Sequence, residues 1–319
     1  MSVGLVERQA LSSTEAKRIG LIAMFPQFSS YNIERDDVKL HGRSKILANG
    51  HGSPLLLLHG HPQSHVMWHR VAPELAKRFS VVMMDLRGYG DSGRPPSDET
   101  HSAYSKREMA KDALAVMKHH GFSRFQVLAH DRGARVAHRL AADSPDAVER
   151  LLLLDIAPTL AMYENTSEAF AKAYWHWFFL IQPPPLPEAL IDSDPVRFVQ
   201  SVIGKRHAGL LAFSPEALAE YERCANIAGS GHSIAEDYRA SATIDLDHDR
   251  ADVQQGRKLP QPLHVLWGEH GAVGHCFDVM ALWRARADCV TGQPVACGHY
   301  IAEENPADLL DQAFQFFRS

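Results

Sequence analysis

Cysteine is scarce. The chain has 319 residues and four cysteines, at positions 224, 276, 289 and 297, with no C-x-x-C pair among them. That sparse spacing excludes a disulfide framework. Long apolar runs are missing too. None approaches the ~18 residues that a membrane span needs, and the first 25 residues hold no apolar stretch of the signal-peptide kind. Positive charge is not in excess. With 33 basic against 38 acidic residues the formal charge is −5, and no basic stripe stands out, so nucleic acid is not expected as a partner. There is no internal repeat and no low-complexity tract. What remains is a cytoplasmic globular protein without a membrane partner, 45% hydrophobic and long enough for a large core. Its length is compatible with two domains, or with one core carrying an insertion.

The apolar pattern supports the second arrangement. After a lead-in over residues 1–30, the stretches SYNIERD, VKLHG and RSKILANG alternate between turn residues, as antiparallel strands do. From Pro54 the runs become continuously apolar: LLLLHG, VVMMDLRG, FQVLAHD, LLLLDIAP and LHVLWGEHG. Short runs with no polar face belong to strands buried on both sides, as in a parallel sheet. Helical stretches separate them, at 65–78, 105–121 and 132–145. The class is therefore α/β with a mostly parallel, doubly wound sheet. Between residues 159 and 250 no buried-strand run appears. That stretch holds YWHWFFL, a proline-broken IQPPPLPEAL and further helical patterns, and reads as a helical cap inserted into a core of residues 31–158 and 251–319.

Ligands of open parallel sheets sit beyond the carboxyl ends of the strands, so the residues just past each run carry the chemistry. The third run ends in Ala129-His130-Asp131-Arg132-Gly133. Small residues flank a central functional group there, as in a nucleophile elbow on a sharp strand-to-helix turn. The central residue is Asp131. A carboxylate nucleophile suits displacement at saturated carbon, where it forms an ester that water can cleave. Asp155 ends the next run, and His299 lies in the loop before the final helix. The order Asp131, Asp155, His299 fits a nucleophile, an acid and a base, with Glu269 as the alternative acid. Arg132 and Arg135 lie three apart on one helix face. The helix dipole disfavours cations at that end. Guanidinium groups grip carboxylates, so the pair points to an anionic substrate.

HGHPQSHVMWHRVAPELAKRF, DLRGYGDSGRP and AHDRGARVAHRLA resemble the α/β-hydrolase superfamily. Within it they resemble the fluoroacetate (haloacetate) dehalogenases, from about Phe25 onward. The resemblance implies an α/β-hydrolase fold with a cap, and hydrolysis of a small 2-haloacid to glycolate and halide. It implies Asp131 as nucleophile, His299 as base, Asp155 as acid, and Arg132 and Arg135 as carboxylate ligands. It also implies His176, Trp177 and Tyr238 as halide donors, and a homodimer. Epoxide hydrolysis shares the Asp nucleophile and is the alternative. One position departs from the family. An apolar aromatic usually follows the first HG, and here His61 does, with its backbone N–H in the position of an oxyanion donor. No metal and no organic cofactor is required. His65 and His69 are four apart but lack a third ligand. DLDHDRAD at 245–252 lacks the glycine and terminal glutamate of a calcium loop and reads as a solvated link.

Overall fold

The computed structural model describes residues 24–48 and 52–318. The expected lead-in lies largely outside these residues, except that Ser29 already opens the first strand. Eight strands form one sheet: β1 (Ser29–Arg35), β2 (Val38–Lys45), β3 (Pro54–Leu58), β4 (Ser80–Met84), β5 (Phe125–His130), β6 (Val148–Leu154), β7 (Leu263–Gly268) and β8 (Val290–Val295). Their spatial order is β1-β2-β4-β3-β5-β6-β7-β8. β1 and β2 form a hairpin whose turn residues, Asp36 and Asp37, both have positive φ, the backbone a two-residue hairpin needs. β2 runs antiparallel to β4, and every later pairing is parallel.

The continuous apolar runs are explained by cover on both faces. Leu56, Leu58, Val82, Met84, Val127, Ala129, Leu151 and Leu153 pack on one side. Their sequence neighbours Leu55, Leu57, Val81, Met83, Leu128 and Leu152 pack on the other. Alternate side chains of a strand point to opposite faces, so a strand covered twice has no polar position to spare. The helices Lys106–His119 and Asp131–Asp143 lie on the first face. The former is started by Ser105, whose hydroxyl accepts from the Glu108 N–H, as in a capping box. The final helix, Pro306–Phe316, lies on the second.

Two local readings are corrected. Residues 65–78 are not one helix but a 3₁₀ turn (His65–Trp68) followed by a single α-turn (Ala72–Leu75). Pro73, second in that turn, has no N–H to donate backward and would clash with a continuing helix. DLDHDRAD is no solvated link. It forms most of a helix, Ile244–Gln254, that buries Asp245, Asp249 and Asp252. Asp249 and Asp252 pair with Arg139 at 2.7 and 2.8 Å. The acids are inside because a buried guanidinium on the neighbouring helix needs counter-charge.

From Thr159 to Gln254 every described element is helical, inserted between β6 and β7. The chain passes from β3 to β4 on one side and then to β5 on the other, so the sheet's switch point lies between the carboxyl ends of β3 and β5. Gly60 and His61 leave one of those ends and Asp131 the other. No helix among the described residues is long and apolar enough to cross a membrane.

Candidate active site

The elbow is built by steric exclusion. His130 is extended, and Asp131 then takes φ +45° before the helix begins. An L-residue adopts that conformation at a cost of roughly 1–2 kcal/mol, and such outliers concentrate at functional sites. Two glycines permit it. A Cβ on Gly60 would stand 2.5 Å from the Asp131 Cβ, and one on Gly133 would stand 2.3 Å from the His59 carbonyl oxygen. The Gly133 N–H donates to that same carbonyl at 2.9 Å, which ties the helix start to β3. Asp131 is thereby thrust into the switch point. Its Oδ1 accepts the His61 backbone N–H at 3.0 Å.

His299 meets both carboxylates. Its Nδ1 lies 2.5 Å from Asp155 Oδ2, and its Nε2 lies 4.0 Å from Asp131 Oδ2. Asp155 also accepts the Gly268 N–H at 2.9 Å, so both of its oxygens are used. A carboxylate on Nδ1 leaves the lone pair on Nε2, facing the nucleophile but beyond hydrogen-bond range. Glu269, the alternative acid, is exposed. His130 contributes from behind: its Nε2 lies 3.0 Å from the His299 carbonyl oxygen. Burial pushes the His130 imidazole down to about 3, so it is neutral and can donate there. Burial works against charge on Asp131, but His299, His130, Arg135 and Arg132 around it outweigh that and hold its carboxyl well below the usual range. The Asp131 carboxyl is therefore ionised at any working pH.

The two arginines are not equivalent, which sequence spacing could not show. Arg132 is fully buried, and an internal acid already engages it. Its Nε and Nη2 donate to the Asp237 carboxylate at 2.8 and 2.7 Å, and Nη2 also reaches the Asp237 carbonyl and Ser241 Oγ. Lys106 and Tyr89 complete the cluster around Asp237. Only Arg132 Nη1 has no partner among the described residues. Arg135 has no acidic partner. It donates to Thr159 Oγ1 at 2.8 Å and lies near the Ala157 carbonyl and Met162 sulfur, with its Nε unpaired. Burial lowers its affinity for its proton and the nearby Asp131 raises it.

The cap closes over both. The Tyr238 ring lies 4.1 Å from the Arg132 guanidinium, and the Trp177 ring 4.7 Å from that of Arg135. Trp177 Nε1 and Tyr238 Oη are buried without a hydrogen-bond partner among the described residues. His176 is buried, and burial lowers its affinity for a proton. It lines a cavity of about 310 Å³ that reaches His299 and is bordered by Lys172, Lys205 and Arg206. The structure thus links these residues by direct contacts: His299 to Asp131 and Asp155, Tyr238 to Arg132, Trp177 to Arg135, and Tyr238 to both His176 and Trp177.

Two participants were missed from the sequence. Asp237 is adjacent to Tyr238 and carries no motif of its own. Arg206, in GKRH, stacks on Tyr174 at 4.5 Å. Tyr174 opens the same YWHW run as His176 and Trp177; its hydroxyl has no partner among the described residues, and its ring edges onto His299 at 6.3 Å.

A parallel sheet with an antiparallel edge, an elbow at the switch point carrying a carboxylate, and an Asp–His–Asp set across three strand ends define an α/β hydrolase. Residues 53–306 match the family described as alpha/beta hydrolase fold. The chain is 40% identical to a fluoroacetate dehalogenase of Burkholderia sp over 89% of its length and 92% of that protein, and it belongs to the haloacetate dehalogenase family of the α/β hydrolases. It is also 34% identical to a soluble epoxide hydrolase of a Corynebacterium strain, over 86% of this chain and 93% of that one. Among solved structures it resembles a protein from Nostoc sp PCC 7120 described as an alpha/beta hydrolase. There the TM-score is 0.88 at 50% identity, covering 92% of this chain and 98% of that one.

Proposed function

We propose that this hydrolase cleaves the carbon–halogen bond of fluoroacetate or a similar small 2-haloacid, releasing glycolate and halide. One observation carries the reading. Around Asp131, Arg132 Nη1, Arg135 Nε, Trp177 Nε1 and Tyr238 Oη are buried and unpaired. A buried donor left unpaired costs about 1–3 kcal/mol, and several converging on one space fit an anionic occupant. The guanidinium donors suit its carboxylate. The phenol, the indole and the His176 imidazole suit a halide leaving with negative charge.

In this mechanism an Asp131 oxygen attacks Cα in line with the carbon–halogen bond. That bond breaks, its electron pair leaves on the halide, and an Asp131 ester remains. His299 Nε2 takes a proton from water as the oxygen adds to the ester carbonyl. Asp155 holds the imidazole in place and stabilises its charged form. The oxyanion that develops is met by the His61 N–H already on Asp131 Oδ1. Collapse expels the glycolate alkoxide, which is protonated, and restores the Asp131 carboxylate. One net proton leaves with the halide.

A fluoride electrode tests this with fluoroacetate, alongside chloroacetate and an aryl epoxide. Wild type is expected to release fluoride and Asp131→Asn none. In His299→Asn the carboxymethyl ester should accumulate on Asp131 and be visible as added mass. Halide release by Asp131→Asn would sink the mechanism. Epoxide hydrolysis is the second reading. It is favoured by the paired free hydroxyls of Tyr174 and Tyr238, which could polarise an epoxide oxygen, but it gives Arg135 no ligand. Diol formation from the epoxide without halide release from either haloacetate would select it.

A further inference from the structure

His61 follows Gly60 just past the end of β3, where the resemblance implies an apolar aromatic. Both of its ring nitrogens are buried without a hydrogen-bond partner among the described residues. The ring is enclosed by Tyr238 at 5.4 Å, His176 at 6.0 Å, and Tyr89 and Phe198 at 6.2 Å. None of these satisfies it, and the Tyr89 hydroxyl is already given to Asp237 at 2.7 Å. His176 and Tyr238 lie 5.9 Å apart, so the three rings form a closed triangle. His61 is therefore the third side of the cup that holds the halide donors, and its backbone N–H is fixed on the nucleophile. An apolar aromatic at this site would leave nothing unpaired. An imidazole leaves its ring nitrogens unpaired, and its one N–H is free to donate to an occupant of the cup.

We propose that the His61 side chain is a further halide donor that biases the pocket toward fluoride over larger halides. The inference rests on the haloacid reading above. Burial pushes the imidazole down to about 3, against the opposing effect of Asp131, so the ring is neutral and carries one N–H at any working pH. A neutral N–H adds no charge that would hold every anion alike. Its contribution grows with the charge density of the acceptor, and fluoride is the smallest and most basic halide. It acts most on the transition state in which fluoride is leaving.

The test compares wild type with His61→Phe and His61→Gln, all checked for equal folding by circular dichroism. kcat/KM for fluoroacetate should fall about 100-fold or more in His61→Phe, in the range of one lost transition-state donor, while chloroacetate and bromoacetate change less than about threefold. His61→Gln, which restores an N–H, should recover much of the fluoroacetate rate. A uniform loss across the three haloacetates would overturn the proposal, because a packing or carboxylate role makes no distinction between leaving groups. So would failure of Gln to rescue. A second readout does not depend on turnover. Titration of sodium fluoride and sodium chloride against Trp177 fluorescence should give weaker fluoride binding in His61→Phe with chloride unchanged. If wild type acts on no haloacetate but the fluoride titration responds this way, the function reading fails and the donor assignment stands. If halide is released but neither readout depends on His61, the donor assignment alone fails.

Discussion

At the scale of single residues, the two arginines differ in whether an internal acid engages them. Arg132 neutralises Asp237 inside the protein, with both groups fully buried. Removing Arg132 would leave the buried Asp237 carboxylate with Lys106 alone as its charged partner among the described residues, and breaking a buried pair costs up to roughly 3–5 kcal/mol. Arg132→Leu should therefore lower the melting temperature markedly, and scanning fluorimetry reads that directly. Arg135 has no internal carboxylate to abandon. Arg135→Gln should melt close to wild type, while KM for haloacetate rises at least ~30-fold, the low end for losing one side of a buried charge pair. Equal melting losses in the two variants would contradict the asymmetry. Asp131 and Asp155 share another residue-level signature, positive φ just past the strand ends; Asp131 is turned into the switch point, and Asp155 toward His299 and the end of β7.

At the scale of elements, the elbow depends on close approach between β3 and the Asp131–Asp143 helix. Gly60→Ala would put a Cβ 2.5 Å from the Asp131 Cβ, an atom the backbone holds in place, so the elbow itself must shift. It should lose about 100-fold or more in kcat, because small displacements of a reacting group cost that much. Gly133→Ala meets the backbone oxygen of His59 and should lose stability together with activity. Comparing circular dichroism melts with halide release checks both. The cap helix Ser230–Ala242 is fastened to the core by the same ion cluster that occupies Arg132, since Asp237 lies on it and Lys106 and Arg132 lie on two core helices. Cap docking and substrate-site charge are therefore coupled through Asp237.

At the scale of the whole molecule, buried histidines set the response to acid. Burial pushes His61 and His130 down to about 3 and His138 and His69 down to about 4. In the unfolded chain each returns to roughly 6.5. As pH falls below that value the unfolded state takes up protons that the folded state refuses, so stability declines between about pH 6.5 and 4. The depressed carboxyls of Asp131 and Asp237 extend the loss further into acid, as they must be protonated to unfold. Melting temperature should be higher at pH 8 than at pH 5. His138→Gln should reduce the pH slope of stability near pH 5 by about one proton. A flat profile from pH 8 to 5 would refute the assignment.

The sequence by itself determined the sheet and the elbow. Runs such as LLLLHG and FQVLAHD can be apolar at every position only where both faces are covered, and AHDRG admits a sharp turn because small residues are local requirements. The strand-end carboxylates and the loop histidine were legible for the same reason, since each sits directly after a periodic element. Tertiary structure alone decided what depends on which side chains meet across the chain. It placed Asp155 rather than Glu269 on His299, gave Asp237 to Arg132, left Arg135 open, and turned the acidic stretch at 245–252 into buried counter-charge for Arg139. Charge compensation inside a protein is non-local: a buried guanidinium must find an acid wherever the fold brings one, and no spacing along the chain records which acid that will be.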